Sequence, residues 1–439
     1  MACIPPRVHD LLEALRGGGF TGYLVGGAVR DLLLGKTPGD LDLVTDAPLE
    51  TLVRLFGVPA VRTVGKTFRV CLVDGIEIAA SRAQGQDFPE ADLERRDLTI
   101  NAMALDPYTG RIVDPFSGQA DLEKKQIRFT RDPNARILED PLRMIRACRF
   151  VSGIGGTLDP ASAHAIRSLG PRVFPQVPGE RIRMEILKAM VHLRPSLFFR
   201  ALGSVDLLDA VLPSLGRCMA LDGGPHHGET VFDHCMMVGD ALSSRRPLLR
   251  LAGFLHDAGK YDAADTAGGS ISFYGHETCD LAILSDLEVL RFSTWEREFI
   301  SSIIRVHMRP LNPETTPRAA RRLLSFLGEN KVTVQDFMRM RIADKRSNLA
   351  KKPYSLSDLK LRLGILNCEL ERSGTALEIR DLELSGRDVM AVLGVSRGPV
   401  VGRCLGFLLE RVLDDPSLNT ADALTSLLKE NRGALIAGD

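Results

Sequence analysis

The sequence predicts an α+β fold, in which a small mixed sheet with helices near the N-terminus is followed by domains that are almost entirely helical. Two patterns predict it. Up to about residue 116, short apolar runs alternate with runs of helical period, and the Asp74-Gly75 pair between two apolar runs is a strong hairpin signal. From about residue 156 to 205 the pattern is helical throughout, and residues 180–190 carry an amphipathic stripe. At 439 residues, 44% of them hydrophobic, the chain is too long for one core and has apolar surface for about three.

Lys plus Arg and Asp plus Glu both number 56, so the formal charge is zero and any nucleic-acid surface must come from local clustering. The cysteines at 3, 71, 148, 218, 235, 279, 368 and 404 form no Cys-x-x-Cys pair and no dense framework, which implies reduced thiols and a cytoplasmic location. The first ten residues contain two prolines and an acid, and no apolar run approaches a membrane span. A soluble protein without a signal peptide is expected.

Residues 8–15 read as an amphipathic helix and 23–25 as a short strand. Gly26 and Gly27 let backbone approach a ligand closely, and residues 28–34 propagate a helix that Gly35 ends. The start of that helix points at the diglycine turn, where free N–H groups and nearby Arg30 suit a triphosphate. Asp40 and Asp42 open the next strand, residues 41–44, on which a period of two sets both carboxylates on one face, an arrangement suited to Mg²⁺. A helix over 49–56 and strands over 70–73 and 75–80 follow. Glu77 is either a third carboxylate facing the same metals or a solvent-facing alternate position.

Arg95, Arg96, Asp97 and Asn101 precede and enter an apolar run that reads as a helix start with charged flanks, and residues 111–116 read as a strand and turn. In the segment 137–150, Asp140 is expected as an N-cap with Pro141 at the first helical position, and Arg143 faces the same way one turn along. A carboxylate only accepts hydrogen bonds and a guanidinium only donates them. Cytosine and adenine both present an amino donor beside a ring-nitrogen acceptor, whereas uracil and guanine reverse that order. An Asp/Arg pair therefore selects C and A together, and Arg146 and Arg149 extend along the same groove.

A linker is expected at 221–225, after which histidines appear in sequence: His234, then His256-Asp257, then Asp344 on a later helical segment. Neutral imidazoles with carboxylates suit a divalent metal. Arg318, Arg321 and Arg322, and later Lys345, Arg346, Lys351 and Lys352, are local basic clusters that read as solvated helix faces or as tracks for an RNA backbone. Gly398-Pro399 opens a C-terminal helix.

Gly-Gly-x-x-Arg-Asp at 26–31 followed by Asp-x-Asp at 40–42 resembles the signature of the class II tRNA nucleotidyltransferase and poly(A) polymerase family, within the polymerase-β superfamily. The resemblance implies a nucleotidyltransferase head in which Asp40 and Asp42 are catalytic through Mg²⁺, with Gly26, Gly27 and Arg30 at the nucleotide. Arg95, Arg96, Asp97 and Asn101 match the family's Arg-Arg-Asp and Asn-Ala motif in order, which implies Arg96 on the triphosphate. Glu139, Asp140 and Arg143 match its Glu-Asp-x-x-Arg motif, which templates the incoming base without nucleic acid, with Arg146 nearby. His234, His256, Asp257 and Asp344 resemble the ligand set of the HD phosphohydrolase superfamily, implying a divalent ion such as Mg²⁺, Mn²⁺ or Ni²⁺. His226, His276 and His307 are then candidates for outer or phosphate contacts.

A head, a neck and an HD domain in this order resemble several bacterial CCA-adding enzymes. The implied organisation is a catalytic head at 1–124, a helical neck with the templating helix at 125–220, an HD phosphohydrolase domain at 221–350 and a tRNA-binding tail at 351–439. The implied activity is addition of CCA to tRNA 3′ ends from CTP and ATP with release of pyrophosphate, plus a phosphohydrolase activity, in a monomer or homodimer with no membrane partner. CC-only addition and poly(A) synthesis remain as alternatives. A lone phosphohydrolase with a decayed head, or a pure RNA-binding protein, would not need intact Asp40, Asp42, Arg96 and Arg143. The chain departs from the family between the sheet and Arg-Arg-Asp, where residues 83–91 form a short connection of nine residues. In the family, loss of a flexible loop there accompanies CC-only addition, yet Gly85 and its polar neighbours permit mobility, and full CCA addition is the first expectation.

Overall fold

The structure is a computed structural model that describes residues 4–57, 61–64, 68–81, 87–224, 228–267, 271–371 and 376–437. The chain forms two compact units, Met1–Leu212 and Pro213–Asp439.

The first unit is built on a mixed sheet of seven strands: β1 (Gly22–Val25), β2 (Asp42–Thr45), β3 (Val61–Val64), β4 (Phe68–Val73), β5 (Ile76–Ala80), β6 (Ala104–Leu105) and β7 (Ile112–Val113). Their order is β3-β4-β5-β2-β1-β6-β7. The β4–β5 hairpin forms as expected, with Val73 paired to Ile76 and both turn residues, Asp74 (φ 50°) and Gly75 (φ 79°), left-handed. β2 lies centrally, parallel to β5 and antiparallel to β1.

Strand alternation sorts the two faces. Leu24, Leu43, Ile76 and Ile78 bury against the helices Pro6–Gly17, Gly27–Leu33 and Leu49–Phe56 through Leu11, Leu12, Val29 and Leu52. Val25 and Val44 point the other way, into a smaller cluster with Leu93, Ala102 and Ala104. Asp42 and Glu77, one residue out of step with Leu43 and Ile78, share that second face.

Helices Pro133–Glu139, Leu142–Ile154, Pro160–Val173, Gly179–Ala189 and Ser196–Ser204 complete the unit, with Leu142–Ile154 packed on both Gly179–Ala189 and Ser196–Ser204. One expectation is corrected here. The helix carrying Arg143 begins at Leu142 with Pro141 before it, because Asp140 terminates the preceding helix in an extended conformation (φ −153°, ψ 100°) suited to a residue before proline. Asp140 still accepts the Leu142 N–H at 3.2 Å.

In the second unit, helices Val231–Ala241, Pro247–Leu255, Thr294–Val306 and Val334–Ser347 pack on one another, and Gly386–Leu393, Pro399–Asp414 and Ala421–Glu430 enclose a separate core around Val389, Leu408, Val412 and Leu424. Gly398-Pro399 opens a helix as expected. The cluster at 318–322 is a solvated face only in part, since Arg318 and Arg322 are exposed and Arg321 is not. Arg321 is buried and bridges Glu369 at 2.8 Å and the Leu413 and Asp414 carbonyls, while Arg318 and Arg322 pair with Asp414. Three arginines there tie the Pro317–Glu329 helix to its neighbours. Among the described residues no helix is long and apolar enough to cross a membrane. His226, the Pro225 end of the expected linker and residues 83–86 of the short connection lie outside the described residues.

Candidate active site

In the first unit the carboxylates gather at the start of β2. Asp42 is its first residue, Asp40 sits in the bend before it, and Glu77 of β5 lies opposite Asp42 in register. Glu77 is exposed and shares a face with Asp42, so it is solvent-facing and at the same time placed beside the paired acids. Burial pushes the Asp42 carboxyl above its ordinary range, with Glu77 and Asp40 adding to the shift and Arg96 opposing it. Asp42 thus stands near two further acids with one opposing guanidinium, and this local excess of negative oxygen suits a hard divalent cation such as Mg²⁺.

The diglycine turn sits against Arg96. Gly26 has φ 69° and ψ −129°, and a Cβ there would stand 2.5 Å from Arg96 Nη1. Only glycine allows both that conformation and that approach. Arg96 Nε is buried without a hydrogen-bond partner, and its nearest carboxylate, Asp92, is 3.6 Å away. The guanidinium retains donor capacity for an anion.

Arg30, Asn101, Asp97 and Arg146 form one polar chain. Arg30 Nη1 donates to Asn101 Oδ1 (2.6 Å), Asn101 Nδ2 donates to Asp97 Oδ1 (3.4 Å), and Arg146 Nε donates to Asp97 Oδ2 (2.6 Å). Burial would raise the Asp97 carboxyl, but Arg146 and Asn101 hold it below its ordinary range. Arg30, Arg146 and Arg149 also lie over the Phe150 ring, at 5.1, 5.9 and 4.2 Å from its centroid.

Asp140 and Arg143, expected to read the base, are three residues apart and not paired to each other. Arg143 Nη1 donates to Glu139 Oε2 (2.7 Å) and the Arg136 carbonyl (3.2 Å), and its Nη2 to the Arg95 carbonyl (3.3 Å). Asp140 is instead held by Arg181, which sequence reasoning passed over. Arg149 and Arg146 meet Glu185, also unforeseen. Sequence carried no signal for either, since these contacts join residues about 40 apart that meet only in the fold.

In the second unit His234, His256, Asp257 and Asp344 converge, and His276 and His307 join them. His234 Nε2 is 3.1 Å from Asp344 Oδ1 and 3.8 Å from Asp257 Oδ2. His256, His276 and His307 present Nε2 to Asp257 at 3.4, 3.2 and 3.5 Å. Each outer nitrogen is committed elsewhere. Nδ1 of His234 faces Glu229 at 3.1 Å, and those of His256, His276 and His307 face the carbonyls three residues back, of Gly253, Phe273 and Ile304, at 2.9, 2.9 and 2.5 Å. With Nδ1 as the N–H donor, all four Nε2 lone pairs turn inward, the tautomer a metal requires. Nε2 of His256 is buried without a hydrogen-bond partner, and burial drives that imidazole down to about 3, so it is neutral. Burial would raise Asp257, but the Lys260 ammonium, 2.8 Å away, holds it well below its ordinary range. Donor chemistry, tautomer and orphaned nitrogen all fit a divalent cation. Beside them a cavity of about 580 Å³ is lined by Asp257, Lys260, Tyr274, His307, Asp344 and Lys351.

A mixed sheet with paired acids beside a diglycine turn, continued by helices, defines a nucleotidyltransferase. A family model described as the poly A polymerase head domain matches residues 22–128, and one described as the probable RNA and SrmB-binding site of polymerase A matches residues 156–219. The A-adding tRNA nucleotidyltransferase of Deinococcus radiodurans is 33% identical over 414 residues, covering 88% of this chain and 90% of that one. The CCA-adding enzyme of Geobacillus stearothermophilus is 37% identical over 41% of this chain and 48% of its own length. The chain belongs to the class II tRNA nucleotidyltransferase and poly(A) polymerase family. The solved CCA-adding enzyme of Bacillus stearothermophilus in complex with CTP has the same fold over the full length of both chains, with a TM-score of 0.67 at 24% identity.

Proposed function

We propose that this chain adds nucleotides to the 3′ end of tRNA, completing CCA from CTP and ATP with release of pyrophosphate. The observation that carries the reading is that Asp42 and Glu77 share one sheet face, with Asp40 in the bend just before the strand and Gly26 against Arg96. Asp40 and Asp42, with Glu77, would hold Mg²⁺, which supplies charge for the phosphates and lowers the pKa of the attacking 3′-hydroxyl. Gly26 brings backbone to the triphosphate, and Arg96 neutralises it. Arg30, Asn101, Asp97 and Arg146 brace the site, and Asp140 with Arg143 reads the base. In this reading the head spans 1–124, the neck 125–220, the HD part 221–350 and the tail 351–439.

A second activity is proposed for the histidine cluster. His234, His256, Asp257 and Asp344 would hold a divalent ion such as Mg²⁺, Mn²⁺ or Ni²⁺, which supplies an activated water for phosphoester hydrolysis. Lys260 and Lys351 line the adjoining cavity and suit a phosphate.

A-only addition is the second reading of the head, favoured by the identity along 88% of the chain to an A-adding enzyme. The test offers tRNAs ending before CCA, after C and after CC both CTP and ATP, and sequences the products. Complete CCA on all three supports the first reading. Extension only of the CC-ended tRNA establishes A-only addition, products stopping at CC establish the CC-adding alternative, and long A tails on any RNA establish a poly(A) polymerase.

A further inference from the structure

We infer that Tyr274 is a base-stacking platform beside the histidine cluster, so that this site takes a nucleoside phosphate with its phosphate at the cluster and its base on the Tyr274 ring. The inference rests on the proposed phosphoester hydrolysis at that cluster. It adds the residue that recognises the part of the substrate that does not react.

The cavity beside the cluster holds about 580 Å³, inside the range of roughly 300–1,000 Å³ typical of small-ligand sites and more than a bare phosphate fills. Its lining is of two kinds. Asp257 and Asp344 are carboxylates of the cluster and Lys260 and Lys351 are cations, whereas Phe273 and Tyr274 are aromatic. Lys260 joins the two parts, since its Nζ is 2.8 Å from Asp257 Oδ2 and 5.4 Å from the centroid of the Phe273 ring. Charge and an aromatic wall in one cavity match a ligand with an anionic end and a flat π-bearing end, the two ends of a nucleotide.

Tyr274 is 92% exposed, yet the backbone that carries it is fixed. The Phe273 carbonyl accepts from the His276 N–H at 3.4 Å and from His276 Nδ1 at 2.9 Å, and Gly275 closes the turn with φ 71°. The turn lies against the segment that carries His256 and Asp257: a Cβ on Gly259 would stand 2.5 Å from the His276 carbonyl oxygen. The contacts that set His276 in the cluster therefore also set Tyr274, two residues earlier, in the lining of the cavity. An aromatic ring on a fixed turn loses little freedom when a base lies on it, and every base has a π-face. Tyr274 thus recognises that a base is present and not which base it is, with purines favoured by their larger area.

The test uses the full-length protein loaded with Mn²⁺ and three substrates: 2′,3′-cyclic AMP, 2′,3′-cyclic UMP and methyl riboside 2′,3′-cyclic phosphate, which has no base. Tyr274→Ala is expected to raise KM for cyclic AMP about tenfold and for cyclic UMP less, with kcat, the base-less substrate, nucleotide addition to tRNA and the melting temperature unchanged. Tyr274→Phe keeps the parent values. In EDTA, NMR titration of the parent is expected to show tighter binding of cyclic AMP than of the base-less ligand, a difference that Tyr274→Ala removes. An unchanged KM in Tyr274→Ala, an equal rise for the base-less substrate, or a rise as large in Tyr274→Phe overturns the inference. Asp257→Ala separates this from failure of the underlying reading. Hydrolysis that survives in that variant, or none in the parent, refutes phosphoester hydrolysis at the cluster, and the titration in EDTA then decides on Tyr274 alone: a difference lost in Tyr274→Ala supports its role, and no difference in the parent overturns it.

Discussion

Gly26 and Gly27 are neighbours in one motif, and the structure expects opposite results from the same substitution. In Gly26→Ala the new Cβ would stand 2.5 Å from Arg96 Nη1, where ordinary contact begins at 3.4 Å. The guanidinium must therefore retreat by about 1 Å, a displacement that can cost about 10²-fold in rate at a positioned group. The backbone adds its own penalty, because φ 69° with ψ −129° is a region open almost only to glycine, at roughly 1–3 kcal/mol for another residue. For a cooperative unit of this size each kcal/mol lowers the melting temperature by roughly 2–4 °C. Gly27 is the first residue of a helix, and its Cβ would meet Arg30 Nη2 at an ordinary 3.5 Å, so Gly27→Ala should leave stability equal or slightly raised. The assay is steady-state incorporation of labelled CTP and ATP into tRNA, with thermal melting in parallel. Gly26→Ala is expected to lose about 10²-fold in kcat/KM while Gly27→Ala stays within a few-fold of the parent. Equal effects of the two substitutions would refute the argument that a close approach to Arg96 is what the first glycine serves.

Asp42→Asn should stop nucleotide addition and raise the melting temperature in EDTA at pH 7, because burial, Glu77 and Asp40 make the ionised carboxyl costly there. Its folded pKa lies above the ordinary 3.8, so the native state takes up the proton first, and the advantage of the variant must vanish as pH falls through that range. A lower melting temperature than the parent at pH 7 would contradict this. Asp257→Ala should abolish metal-dependent hydrolysis of a 2′,3′-cyclic nucleotide and spare nucleotide addition, since the two sites are built in different compact units; loss of both activities would point to a structural metal. Glu185→Ala should cost about 3–5 kcal/mol in denaturant unfolding, because Glu185 is 3% exposed and its removal takes from the largely buried Arg149 the carboxylate it is paired with. A cost under about 1 kcal/mol would mean that water reaches Arg149.

What the sequence announced was local. The β4–β5 hairpin was legible because the Asp74-Gly75 turn carries its own backbone requirement, and the Gly26 turn with the acids of β2 because glycines and carboxylates stand close together in the chain. The start of the Leu142–Ile154 helix was misread because two Asp-Pro steps follow each other. At Asp132-Pro133 the aspartate caps, accepting from Asn134 and Ala135, whereas at Asp140-Pro141 it ends one helix and begins another. Arg321 looked solvated because a basic run says nothing about Glu369, which meets it only in the fold. The partner of Asp140 was hidden for the same reason. The histidine cluster was half legible: His256 and His307 each close a helix and donate to the carbonyl three residues back, but their convergence with His234 and Asp344 is a tertiary fact.

The base-reading pair also limits what can decide the length of the product. In the proposed reading an acceptor and a donor in fixed order meet the same edge of C and of A, so Asp140 and Arg143 would set the class of base and could not by themselves count nucleotides. On that reading product choice comes from what moves or confines the pair relative to the carboxylates at the start of β2. A purine places its sugar farther from the reading edge than a pyrimidine does, so a site that adds both has to let the pair shift. The structure holds each member of the pair by a different tether: Arg143 donates to the Arg95 carbonyl in the Arg-Arg-Asp segment, and Asp140 accepts from Arg181 on the helix Gly179–Ala189. In the proposed reading a shift of the pair that lets both C and A be added has to be permitted by these two contacts.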